Sequence, residues 1–80
     1  MFINKSTTGK NNICGSNVYK RRIEMNISQR ELADRLQING LDVDKNAIQR
    51  IEAGKRFVTD IELIKLSETL NLAISELLKY

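Results

Sequence analysis

From residue 14 onward, apolar positions recur at helical spacing. Cys14, Val18, Arg22 and Met25 step by four, four and three, one stripe along a first helix. Asn26 is a residue type that accepts a left-handed helix stop, and Ile27 packs inward after it. A second helix opens at "SQRELADRL". Ser28 and Glu31 have the spacing of a capping box, in which the hydroxyl accepts from a first-turn N–H and the carboxylate reaches back. Leu32, Ala33 and Leu36 form its inward stripe. Gln37 and Ile38 extend it and "NG" at 39–40 ends it. "LDVD" then turns with Leu41 and Val43 inward. Asp44 caps a third helix that runs about Lys45 to Ala53. Ile48 and Ile51 anchor that helix and Gly54 closes it. Thr59 and Glu62 repeat the capping box for a fourth helix, with Ile61, Leu63 or Ile64, Leu66 and Leu70 inward and Asn71 as its stop. A short last helix holds Ser75, Glu76, Leu77 and Leu78.

The chain has 80 residues, one small domain. A chain of this size buries only about 60 % of its unfolded surface, so its core rests on a few well-placed apolar groups. There is no proline and there are only four glycines, which favours helices joined by short turns. The expected fold is all-α, a compact five-helix bundle over residues 13–80. Residues 1–12 are polar and read as a flexible N-terminal arm carrying Lys5 and Lys10.

Composition also excludes chemistry. With no histidine, the usual general base at neutral pH is missing, and no enzyme signature is present. Cys14 is the single cysteine; at an apolar helical position it reads as a core thiol in a reduced, cytoplasmic protein. "TTGKNN" lacks the spacing of a phosphate-binding loop. Asn39, Asp42 and Asp44 do not fill a calcium loop and suit turns and caps. Neither a metal site nor a cofactor is expected. The apolar runs are too short for a membrane span or a signal-peptide core.

The net charge of +3 is unevenly placed. Residues 1–56 carry eleven Lys/Arg against six Asp/Glu, a balance of +5, whereas residues 57–80 carry two against four, a balance of −2. The first part can face a polyanion and the second cannot. A solvated surface can show the same asymmetry by chance. The third helix sharpens the choice. Its N-terminal end is polar. Asn and Gln can bond adenine edges bidentately, and Arg and Lys can bond guanine O6 and N7. Two short helices joined by a turn, the second polar at its start, describe a helix-turn-helix.

Taken together, "SQRELADRL", "VDKNAIQRIEAGKR" and "TDIELIKLSETLNLAISELL" resemble the XRE family of Cro and phage-repressor-type DNA-binding domains, over residues 14–78. The resemblance implies a lambda-repressor-like bundle whose third helix enters the major groove. It implies base contacts from Lys45, Asn46, Gln49 and Arg50, and a phosphate contact from Gln29 at the start of helix 2. Lys55 and Arg56 follow helix 3 and are expected on phosphates too. Glu52 matches an acidic position that pairs with an arginine on helix 1, which is Arg22 here.

Three features depart from the family pattern. The turn between helices 2 and 3 is several residues longer than the usual Leu-Gly-Val-Ser type. Arg21 stands where many relatives carry an inward leucine and is expected at the surface. Ala73 stands where a Ser or Thr would cap the last helix. The implied function is a sequence-specific double-stranded DNA-binding transcriptional regulator, a repressor. It is expected to dimerise on a two-fold operator, because one module of this size makes a small specific interface. Leu72, Ile74, Leu77, Leu78 and Tyr80 are available for the dimer surface, although closing the core is the commoner use of such residues. The alternative is an antitoxin or adaptor that uses the same fold to hold a protein partner. The filled polar face of helix 3 speaks against that use.

Overall fold

The first turn of a helix leaves backbone N–H groups without intrahelical partners, and the chain supplies side-chain acceptors for some of them. The computed structural model describes residues 9–80; residues 1–8 of the expected arm lie outside the described residues. Helix α1 spans Gly15–Glu24, α2 Gln29–Ile38, α3 Lys45–Glu52, α4 Asp60–Leu70 and α5 Ile74–Leu77. No strand occurs among the described residues.

Asp44 caps α3 by accepting from Ala47 N at 2.8 Å. Thr59 and Glu62 complete a reciprocal capping box on α4, with bonds of 3.2 and 3.0 Å. Ser28 forms only half of the expected box. Its Oγ accepts from Glu31 N at 3.0 Å, but the Glu31 carboxylate turns along the helix to Arg35, 2.6 Å away. Cys14 gives α1 no side-chain cap. Asn12 serves instead, its Oδ1 accepting from Gly15 N at 2.8 Å. Ala73 leaves α5 without a side-chain cap, and that helix lasts four residues. Asn26 and Asn71 take left-handed conformations with φ of 58° and 50°, ending α1 and α4 where the sequence placed stops.

Helix α3 packs on α1 and α2; α4 packs on α1 and α2; α5 packs on α1 and α4. Val18, Leu32, Leu36, Ile48, Leu66 and Leu70 are fully enclosed at the centre, and Leu77 seals them from α5. One expectation for α4 fails, Ile61, and the choice between Leu63 and Ile64 falls to Leu63. Ile61 is 64 % exposed and Ile64 is 47 % exposed. The inward stripe is Leu63, Leu66 and Leu70. Ile61 precedes Leu70 by about two and a half turns and so lies on the opposite face. Arg21 lies partly against the protein, its Nε donating to Leu70 O at 2.9 Å at the end of α4.

The long α2–α3 connection is tied at several points. Leu41 N donates to Leu36 O at 2.9 Å and Gly40 N to Gln37 O at 3.0 Å, wrapping the chain around the end of α2. Gly40 has φ of 88° there, which favours a residue without a Cβ. Gln37 Nε2 donates to Val43 O at 2.7 Å, just before the cap of α3. Asn39 Nδ2 reaches Glu68 Oε1 on α4 at 3.1 Å. Val43 is buried and Leu41 packs against the core. The added length is absorbed by a braced turn.

Candidate nucleic-acid interface

Helix α3 has two opposed faces. Ile48 and Ile51 are buried beneath it. Lys45, Asn46, Gln49 and Arg50 are all exposed. Asn46, Gln49 and Arg50 line one shallow concavity with Ala53 and Lys55. Lys45 lies in the neighbouring groove between α2 and α3, with Arg30, Asp34, Gln37 and Asp44. None of the side chains of Asn46, Gln49, Arg50 or Lys55 bonds elsewhere among the described residues. Donors and acceptors held outward on one helix face can pair with base edges without first breaking an internal bond.

Glu52 is on the same short helix but turns inward. Its Oε2 accepts from Arg22 Nε at 2.7 Å, and its Oε1 accepts from Arg22 Nη2 at 3.1 Å. The side chains are 9 % and 6 % exposed. Arg22 Nη1 also donates to Ile27 O at 2.9 Å, and the Tyr19 ring lies 5.5 Å from the guanidinium carbon. The bond from Glu52 raises the Arg22 pKa above its ordinary value and keeps the guanidinium charged. The pair joins α1 to α3 beneath the exposed polar face of α3. Removing one partner of such a buried pair strands the other charge.

Gln29 belongs to this network. Its Nε2 donates to Glu52 Oε1 at 3.0 Å, so the amide is partly committed to the interior. One N–H of that group and the backbone N–H groups of Gln29 and Arg30 remain for an anion at this helix start. Arg56, expected on a phosphate, is paired with an acid on α4. Its Nη1 and Nη2 bind Glu62 Oε1 and Oε2 at 2.9 and 2.7 Å, and Nη1 also donates to Phe57 O at 3.2 Å. A guanidinium so neutralised has little charge to offer a phosphate. Lys55 is exposed at the edge of the concavity.

Arg30 and the asparagine pair Asn11 and Asn12 entered the interface only with the tertiary structure. Arg30 is exposed beside Lys45 across the α2–α3 groove. Asn11 and Asn12 bind the end of α3 from about forty residues away in sequence, a relation without a local signal. Burial pushes the Cys14 thiol up to about 11, so it stays protonated and unreactive at neutral pH.

Comparison with known proteins agrees with the helix-turn-helix fold. A family model described as helix-turn-helix matches residues 18–77. Among solved structures, the restriction-modification controller protein C.AhdI from Aeromonas hydrophila is similar, with 25 % sequence identity and a TM-score of 0.69. The similarity covers 80 % of this chain and 86 % of that one. No curated protein matches the chain.

Proposed function

The chain belongs to the XRE-type helix-turn-helix family of DNA-binding transcriptional regulators, and from that premise we propose that it is a sequence-specific repressor acting in the cytoplasm and reading the major groove with α3. The observation that carries this reading is the outward, internally unbonded set Asn46, Gln49 and Arg50, above the buried Ile48 and Ile51. Asn46 and Gln49 suit adenine edges and Arg50 suits guanine. Lys45 and Arg30 flank them at the start of the helix pair. Lys55 and the start of α2, with the remaining N–H of Gln29, hold phosphates and set the docking register. Arg56 braces the loop after α3 and stays off the DNA.

The protein binds its operator as a homodimer, which doubles a small interface and reads two related half-sites. Ile74, Leu78 and Tyr80, exposed at the C-terminal end, form the contact. Leu72 and Leu77 serve the core instead.

Selection from random duplexes at two salt concentrations tests this reading. Enrichment of a two-fold related sequence, with affinity falling steeply as salt rises, is the expected result. No enriched sequence and no salt dependence would sink it. Asn46→Ala and Arg50→Ala each relax preference at one base pair of the half-site, at a cost of about 1–3 kcal/mol. A protein-binding use gains support from the exposed Phe57, Ile61 and Ile64. That use predicts the empty selection.

A further inference from the structure

Just ahead of α1, two asparagines reach across to the far end of α3. Asn12 Nδ2 donates to Ile51 O at 3.1 Å and to Arg56 O at 2.7 Å. Asn11 Nδ2 donates to Lys55 O at 3.0 Å, and Asn11 N donates to Gly54 O at 2.8 Å. Carbonyls at 51, 54, 55 and 56 are therefore all held by two consecutive residues. Helix ends leave carbonyls without intrahelical partners, and one amide group supplies two donors in fixed geometry. The approach is close. A side chain at Gly15 would collide with the Ile51 carbonyl. A Cβ at Gly54 would lie 2.7 Å from Lys10 Cδ. Both asparagines precede the stretch that matches the family model.

We propose that Asn11 and Asn12 are positioning residues for DNA binding. They fix the backbone from Ile51 to Arg56 so that Lys55 is presented to a phosphate at the edge of the reading face. The inference rests on α3 being the groove-reading helix. Within the fixed segment, Ile51 and Glu52 face inward and Arg56 is bound to Glu62. Lys55 is the long side chain left pointing at solvent, beside Asn46, Gln49 and Arg50. A lysine on a loose loop loses both backbone and side-chain freedom when it meets a phosphate; on a clamped loop only the side chain is ordered. The clamp grips one side of the loop and the Arg56–Glu62 pair grips the other.

Asn12→Ser and Lys55→Ala, singly and together in the full chain, test this on the selected duplex. Serine keeps an acceptor for the start of α1 but lacks the two N–H donors. The slope of log K against log salt is the readout. Lys55→Ala lowers it by about 0.9, the share of one phosphate contact. Asn12→Ser produces the same shift while remaining helical and keeping the same base preference, and adding Lys55→Ala to it produces no further shift. A folded Asn12→Ser with the wild-type slope overturns the proposal, and so does an additive double variant. Where Asn12→Ser melts below the assay temperature, Asn11→Ala decides, because among the described residues the Asn11 side chain bonds only Lys55 O. It lowers the slope by the same amount, and an unchanged slope overturns the proposal. A wild type without any salt slope sinks the DNA reading itself, which separates that failure from this one.

Discussion

Glu52 shows how one residue can carry a charge opposite to its surroundings without working against them. It stands among groups suited to meet an anion, yet its carboxylate is buried against Arg22 and Gln29. Glu52→Ala leaves Arg22 charged and unpaired beneath α3, and about 3–5 kcal/mol of stability is lost. Urea denaturation measures that loss, and selection on the surviving folded protein returns the same preferred bases. Glu62 gives a pH-dependent counterpart. The bond from Arg56, with burial opposing it, holds the Glu62 carboxyl below its ordinary 4.5. A carboxylate depressed in the folded state stabilises fully above the unfolded value, and the gain is lost as pH falls through the folded value. The urea midpoint of the wild type therefore drops between neutral pH and pH of about 3 more than that of Glu62→Gln.

At the scale of the element, α3 is eight residues long. A helix of that length has little stability of its own and takes its place from what it packs against. Ile48 and Ile51 supply the packing, and Ile51→Ala costs about 2–5 kcal/mol in the same assay. Its two ends are held differently. Gln37 and Asp44 fix the start, through the Val43 carbonyl and the Ala47 N–H. Asn12 and Gly54 fix the finish. Gly15 matters because α1 crosses the Ile51 carbonyl without room for a Cβ. Gly15→Ala, a helix-favouring change by propensity, here lowers the melting temperature and displaces the end of α3. Changed amide NMR shifts at residues 51–56 report the displacement, and an unaltered spectrum with a higher melting temperature contradicts it.

At the scale of the whole molecule, the basic excess lies in residues 1–56, which include α1, α2 and α3. The acidic excess lies in residues 57–80, which form α4 and α5. That polarity orients the domain toward a polyanion and leaves the C-terminal end for another contact. On the proposal that Leu78 lies in a dimer contact, Leu78→Glu yields a monomer in sedimentation with the helix content intact, because Leu78 is 42 % exposed and outside the core. Ile61→Glu leaves the dimer in place. The reverse pair of outcomes moves the interface to α4.

The sequence by itself determined the five helices and most of their ends. Those depend on neighbours within four residues: Asp44 and Thr59 as caps, Asn26, Asn71 and Gly54 as stops, and leucines and isoleucines at helical spacing. It also showed that α3 is polar at its N-terminal end and anchored by Ile48 and Ile51. A resemblance over many residues supplied the Arg22 and Glu52 positions, which no local rule connects. Tertiary structure alone decided the rest. It turned Arg56 to Glu62, committed half of the Gln29 amide to Glu52, and released Glu31 from its capping box. It left Ile61 and Ile64 outside, because α4 can bury only one stripe. It brought Asn11 and Asn12 to the end of α3. A side chain with several partners within reach takes the one that the packed backbone brings closest, and that distance does not exist until the helices have met.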